Sequence, residues 1–301
     1  MLIGFIGTVI GLAMLIYGAN LLVEGSAGIA KKLGINGHII GVTLVATATS
    51  LPELATAVTA TIRGNYGIAM GNVVGSNAFN VGVVLGVAVI LLPIIPDRLV
   101  KRDGWIVIIA TIIFALFAVG GINTWQSLIL LLIYLIYVLY LYKSTKLAPE
   151  VSTEEKPYPL LITMLVLGCI LLFGGSPILV MSAESLARSI GVADWIIALT
   201  LIALGTSLPE LLTAVVAALK GHEGIAVGNV LGSNLFNIML IPGIAGLIHP
   251  LDVEMHVASA LIPAMLLITL LGWVLSYRRM GRKEGILLLV SYVFFIALVF
   301  T

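Results

Sequence analysis

Thr49-Ser50-Leu51-Pro52-Glu53 returns as Thr206-Ser207-Leu208-Pro209-Glu210, and Gly71-Asn72-Val73-Val74-Gly75-Ser76-Asn77-Ala78-Phe79-Asn80 returns as Gly228-Asn229-Val230-Leu231-Gly232-Ser233-Asn234-Leu235-Phe236-Asn237. Both returns come 157 residues after the original, and the same spacing relates Gly18 to Gly175, Gly34 to Gly191 and Thr43 to Thr200. The chain therefore reads as a duplication. Glu53 and Glu210 each stand inside an apolar stretch. An ionisable group at membrane depth is costly and marks an ion or substrate path. A matched pair, one per half, points to a transporter built from two repeats around one central site.

Composition sets the solvent. Of the 301 residues 60% are hydrophobic and 10% charged, with a mean hydropathy of +1.20, against about 25% charged in soluble domains. This is a polytopic membrane protein, expected in the cell (inner or plasma) membrane, and the lipid bilayer is its first partner. A net charge of +1 gives no reason to expect a nucleic-acid partner. The single cysteine, Cys169, has no internal disulfide mate and reads as a small core residue. The first apolar run, 2–23, lacks a basic start and is long enough to span, so it reads as a retained helix.

Ten apolar segments are long enough to cross a bilayer: 2–23, 39–62, 67–92, 104–120, 125–142, 158–181, 195–219, 224–248, 257–277 and 285–300. The polar stretch 143–157 is a plain tether between a first repeat, 1–142, and a second, 158–301. Five spans per half is odd, so the second repeat enters the membrane from the opposite side. The expected fold is an all-α membrane protein: ten transmembrane helices in two inverted five-helix repeats, with helices 2 and 7 broken. With loops counted alternately, Arg63 and Arg188 lie on one side and the other thirteen of the 15 Lys and Arg residues on the opposite side. The basic side is expected to be cytoplasmic, which puts both termini outside and the tether inside.

Pro52 and Pro209 lack an N–H and clash with the preceding turn, so each span breaks there. Freed carbonyls survive at membrane depth only when buried in protein or facing a watery cavity. Those near the breaks belong to Ala46, Thr47 and Thr49, and to Ala203, Leu204 and Thr206. Carbonyls, hydroxyls and carboxylates suit hard cations such as Ca2+, Mg2+ or Na+. No His or Cys cluster accompanies them, which argues against zinc, copper or iron. Asn77 and Asn80, like Asn234 and Asn237, are three apart and share a helix face, with Ser76 and Ser233 alongside. Gly71/Gly75 and Gly228/Gly232 have the small-xxx-small spacing that lets helices pack closely. Glu53 and Glu210 are the only ionisable residues this reading places deep in the spans. Glu24 and Glu184 fall near helix ends, facing water or headgroups. His38, His222, His249 and His256 sit at span ends or in loops, and none has a role. Trp105, Trp125, Trp195 and Trp273 fit an interfacial belt.

At these residues the chain resembles the cation/calcium exchanger superfamily, and within it the prokaryotic sodium/calcium exchangers, whose two alpha repeats carry such Thr-Ser-Leu-Pro-Glu and Gly-Asn-x-x-Gly-Ser-Asn motifs. The resemblance covers nearly the whole chain. It implies an antiporter that exchanges sodium for calcium by alternating access at a midplane site, with Ca2+ and Na+ as substrates and no cofactor. It further implies that Glu53, Asn80, Glu210 and Asn237 surround the central position, joined by the backbone carbonyls of Thr49 and Thr206. Flanking sodium ions would draw on Ala46, Ser50 and Ser233, and on Ala203, Ser207 and Ser76. Three sodium ions per calcium are implied. There are two departures: Ala48 stands where the second half has Gly205, and Asn237 stands where potassium-dependent members carry Asp. The second argues against potassium as a co-substrate. A proton/calcium antiporter is the alternative within the superfamily. A passive cation channel with Glu-lined walls is the alternative outside it, though broken helices at matching positions favour a carrier. No nucleophile–base pair points to an enzyme.

Overall fold

The computed structural model describes residues 2–144, 156–190 and 205–300. Among them the chain is helical throughout, apart from two isolated antiparallel bridges, Ile94–Met280 and Ile122–Leu251. In chain order the helices are α1 (Leu2–Leu33), α2 (Gly37–Thr49), α3 (Leu51–Ile62), α4 (Tyr66–Leu91), α5 (Arg98–Ala118), α6 (Thr124–Ser144), α7 (Tyr158–Ser189), α8 (Leu208–Leu219), α9 (Glu223–Ile248), α10 (Val257–Leu275) and α11 (Arg282–Val299). By length and apolarity α1, α4, α6, α7, α9 and α10 can each cross a membrane, and α2 with α3 forms one further span bent by 45°. Charged first turns mark α5 and α11, and residues 191–204, shortly before α8, lie outside the described residues. Large apolar side chains such as Phe5, Leu116, Trp125 and Phe294 are exposed on the outer surface, as lipid-facing helices require.

Two helices form the centre. The apolar stretches of α4 and α9 are 78% and 72% buried, against 22–39% for α1, α6, α7 and α10. They are the helices that carry the Gly-Asn motifs. Glycine sets how closely α9 can approach: a Cβ on Gly228 would sit 2.5 Å from the His38 carbonyl, and one on Gly232 would overlap the Val42 carbonyl and Ala46 of α2. The same spacing in α4 behaves differently. A Cβ on Gly71 or Gly75 meets nothing within 4 Å, so close packing accounts for the second pair of glycines and not the first.

α1 and α7 lie along one another, and the contact is two-fold. A Cβ on Gly18 would come 3.0 Å from the Gly168 carbonyl, and one on Gly175 would come 3.1 Å from that of Gly11. Gly18 and Gly175 are repeat mates, and so are Gly11 and Gly168. Equivalent turns close α3 and α8, where Gly64 and Gly221 both adopt φ +75°, a conformation that favours glycine.

Two expectations are revised. α5 begins at Arg98, with the Asp97 side chain accepting from the Val100 N–H at 2.9 Å, so Asp103 lies inside a helix and is fully buried. Its carboxylate is 2.8 Å from His38 Nε2 and 2.7 Å from Arg102 Nε. These partners stabilise a charge that would otherwise be expelled, and His38, itself buried, ties α2 to α5. α1 runs ten residues beyond the expected end at 23. Glu24 is therefore interior to a helix and pairs with Lys156 at 3.1 Å and with Lys220.

Gly232→Ala is expected to destabilise by ~1–3 kcal/mol through overpacking against α2, whereas Gly71→Ala is expected to be neutral or stabilising because helix propensity favours Ala. Thermal unfolding of the purified variants checks this; equal losses at both sites would contradict the packing difference.

Candidate functional site

The two Ser-Leu-Pro-Glu stretches meet at the centre. Ser50 (φ −89°, ψ 6°) interrupts the helix between α2 and α3, and Ser207 (φ −93°, ψ 5°) stands with the same backbone angles at the start of α8. Each proline lacks the N–H that would bond four residues back, to the carbonyls of Ala48 and Gly205. In the second half the Ser176 hydroxyl of α7 takes up the Gly205 carbonyl. The repeat mate of Ser176 is Ala19, which has no donor to offer Ala48.

Glu53 and Glu210 follow the breaks and are both fully buried. Each carboxylate accepts a hydroxyl from the other half: Ser207 Oγ to Glu53 Oε1 at 3.0 Å, and Ser50 Oγ to Glu210 Oε1 at 2.9 Å. Ser207 Oγ is also 3.1 Å from Ser76 Oγ. The amides repeat the exchange. Asn72 Nδ2 donates to the Glu53 carbonyl at 3.0 Å and Asn229 Nδ2 to the Glu210 carbonyl at 3.4 Å. Thr206 Oγ1 donates to Asn72 Oδ1 at 3.4 Å, and Thr49 Oγ1 lies 3.1 Å from Asn229 Oδ1. Apart from Ser207–Ser76, which has no counterpart at Ser50–Ser233, these pairs are mates at the 157-residue offset, so one pseudo-two-fold relation generates both sets. Asn234 Nδ2 bonds the carbonyl of its own mate, Asn77, at 3.5 Å, which places these two motif residues at that axis.

Several polar atoms of the motif residues have no partner. Glu53 Oε2, Glu210 Oε2, Ser233 Oγ, Asn234 Oδ1 and both amide atoms of Asn80 and Asn237 are buried without a hydrogen bond among the described residues. Native interiors rarely leave such groups unsatisfied. Most of these atoms are oxygens, the ligand type that hard cations take. Asn80 opens a wide π turn, Asn80–Leu85, and Asn237 lies in another, Phe236–Leu240. The second precedes Pro242, which withholds an N–H from the carbonyl of Ile238. Such turns often occur at functional sites. The asparagines of each motif do different work: Asn77 Nδ2 is spent on the Val73 carbonyl at 2.8 Å, while the Asn80 and Asn237 amides have no hydrogen bond among the described residues.

Hydrogen bonds bring part of the sequence-predicted set together. Glu53, Ser207 and Ser76 form one linked group, and Glu210 and Ser50 another. Thr49 and Thr206 join them through Asn229 and Asn72. Ala46 packs against Gly232, beside Ser233, and its carbonyl already accepts the Ser50 N–H at 3.0 Å. Ala203, with the Leu204 carbonyl, lies outside the described residues. Asn72 and Asn229 are the residues that sequence reasoning missed, although both stand inside the quoted motif.

A cavity of about 250 Å³ lies beside Pro52 and Thr206, lined also by Thr56, Phe173, Ser176 and Gly205 among others. The repeat mates of three of these are more enclosed: Pro209 is buried, and Thr213 and Thr49 are fully buried.

The family model for the sodium/calcium exchanger protein matches residues 3–143 and 160–301. The chain belongs to this family. It is 33% identical over 350 residues to the sodium/calcium exchanger MaX1 of Methanosarcina acetivorans, covering 99% of both chains. It is 29% identical over 309 residues to the inner membrane protein YrbG of Escherichia coli, covering 97% of this chain and 95% of that one. Among solved structures it superposes on the sodium-calcium exchanger NCX_Mj, soaked with zero Na+ and Ca2+, with a TM-score of 0.89 and 31% identity over 99% of each chain. The protein is accordingly a membrane antiporter-family member with an all-helical exchanger fold.

Removing a buried polar group that has no partner recovers its desolvation cost, about 1–3 kcal/mol. Asn80→Leu and Asn237→Leu are therefore expected to unfold at or above the wild-type temperature in cation-free buffer. A clear loss of stability in both would mean that these amides are partnered.

Proposed function

We propose that this protein exchanges sodium for calcium at a single site formed by Glu53, Asn80, Glu210 and Asn237 with the backbone carbonyls of Thr49 and Thr206. Sodium ions flank it on Ala46, Ser50 and Ser233 and on Ala203, Ser207 and Ser76. The observation that carries this reading is the facing pair of buried carboxylates, each with one oxygen satisfied by a serine of the opposite half and one left free. Two free carboxylate oxygens among neutral oxygens offset one Ca2+ or two Na+. Overlapping ligands cannot hold both loads at once, and this exclusion couples the fluxes.

The wider architecture in this proposal is ten spans in two inverted repeats, 1–142 and 158–301, joined by a cytoplasmic tether, 143–157, with both termini outside and the second and seventh spans broken. Alternating access is supported by the cavity on the Pro52–Thr206 side and the burial of Pro209, Thr213 and Thr49 at the mirror positions. A conformational exchange of the two halves would open the mirror path and close the present one.

The carboxylates should be the least replaceable groups. Glu53→Gln and Glu210→Gln each remove a formal charge facing a divalent ion in a partly dehydrated site, where charges interact strongly. Either variant is expected to abolish sodium-driven calcium uptake into proteoliposomes while the protein still folds. Calcium uptake that needs no opposing gradient would instead identify a channel, and uptake driven only by a proton gradient would identify the proton-coupled alternative.

Asn80 and Asn237 add no charge, so a calcium-loaded site with both carboxylates ionised is neutral and a site carrying three sodium ions has a charge of about +1. Moving one charge through the membrane field is worth about 2.3 kcal/mol per 100 mV. An inside-positive potential set with potassium and valinomycin is therefore expected to accelerate calcium entry into sodium-loaded vesicles. Indifference to voltage would indicate two sodium ions per calcium.

A further inference from the structure

Asn72 and Asn229 have no role in holding ions, because both ends of each amide are already engaged. The amide N–H groups hold the backbone carbonyls of Glu53 and Glu210, and the amide oxygens face Thr206 and Thr49 of the opposite half. Each amide therefore joins its own helix to the helix after one break and to the residue before the other.

The Thr49 hydroxyl shows what this junction controls. Its oxygen lies 3.1 Å from Asn229 Oδ1 and 3.3 Å from the Ala46 carbonyl. A hydroxyl has one proton, so it donates to one of the two. The Ala46 carbonyl has two lone pairs, and the Ser50 N–H uses one at 3.0 Å. When Thr49 donates to Asn229, the second lone pair is free for a cation. When Asn229 is absent, the hydroxyl falls back on its own helix, as serine and threonine in membrane helices commonly do, and the lone pair is blocked. Thr8, Thr43, Thr61, Thr111 and Thr269 all make such backbone bonds, to the carbonyl four residues earlier.

We propose that Asn229 is a positioning residue: it draws the proton of the Thr49 hydroxyl across the interface between the halves and so keeps the Ala46 carbonyl open to sodium, and the repeat assigns Asn72 the same part toward Thr206. The proposal rests on the reading of the Glu53–Glu210 cluster as the ion site. Asn229 is fully buried and its threonine contact is the shorter, while Asn72 is half-buried with a 3.4 Å contact, so the Asn229 position carries the larger effect.

The test is sodium dependence of exchange in proteoliposomes. Asn229→Ala is expected to raise the half-saturating sodium concentration about tenfold, equivalent to ~1.4 kcal/mol. Adding Thr49→Val removes the competing hydroxyl and is expected to bring the double variant most of the way back to wild type. Loss of packing alone would worsen with the second truncation, so rescue separates positioning from a structural role. Should Asn229→Ala fail to fold, Asn72→Ala with Thr206→Val provides the same comparison at a half-buried position, with a smaller shift in the same direction. An unchanged sodium curve, or a shift that the threonine substitution does not reverse, overturns the proposal. Glu53→Gln measured in parallel keeps the two readings apart: transport by that variant refutes the ion site itself, whereas an inactive Glu53→Gln with no shift in Asn229→Ala refutes only the positioning role.

Discussion

Two carboxylates buried in an apolar protein are the constraint to which the rest of this structure answers. Removing a charge from water costs several kcal/mol even after relaxation, and Glu53 and Glu210 have no basic partner within the hydrogen-bonding set around them. The protein satisfies only half of each group. A serine from the opposite repeat donates to one oxygen and the other is left bare. Asp103 shows the contrasting solution: His38 and Arg102 close around it, and the result is a structural tie between helices rather than a place for an ion.

The breaks serve that half-satisfied arrangement. Proline after Ser-Leu stops the helix where a serine can turn toward the other half, and the amides of Asn72 and Asn229 hold the backbone carbonyls of the two glutamates in place. Because each repeat supplies donors to the other's carboxylate, neither half can form the site alone. In the proposed site, the wide turns at Asn80 and Asn237 add side chains that stability alone would not retain. A stability penalty concentrated at one place is the usual mark of selection for binding.

The symmetry is not complete, and its lapses are where direction enters. Ser176 occupies the carbonyl freed by Pro209, while Ala19 leaves its counterpart without that donor. Pro52 and Thr56 border a cavity that their mates Pro209 and Thr213 do not share an exposure with. Two halves of nearly identical motif sequence thus sit in different surroundings.

The sequence by itself determined the helical membrane class, the duplication, the location of the two breaks and the two glutamates, because these follow from composition, from a fixed offset and from what proline does to a helix. Most of the proposed ligands could be named because they lie within a few residues of those breaks. Only the tertiary structure decided which asparagines are spent and which are free. Asn72, Asn77 and Asn80 look alike in sequence, yet one bridges the halves, one bonds its own helix while its backbone carbonyl accepts its mate's amide at the axis, and one has no hydrogen bond among the described residues. That distinction depends on contacts between residues more than a hundred positions apart. The same holds for Asp103 and His38, which look like loop and span-end residues until α2 and α5 pack together. Local pattern fixes what a segment can form, but a buried polar group is given its role by the groups that reach it from elsewhere in the chain.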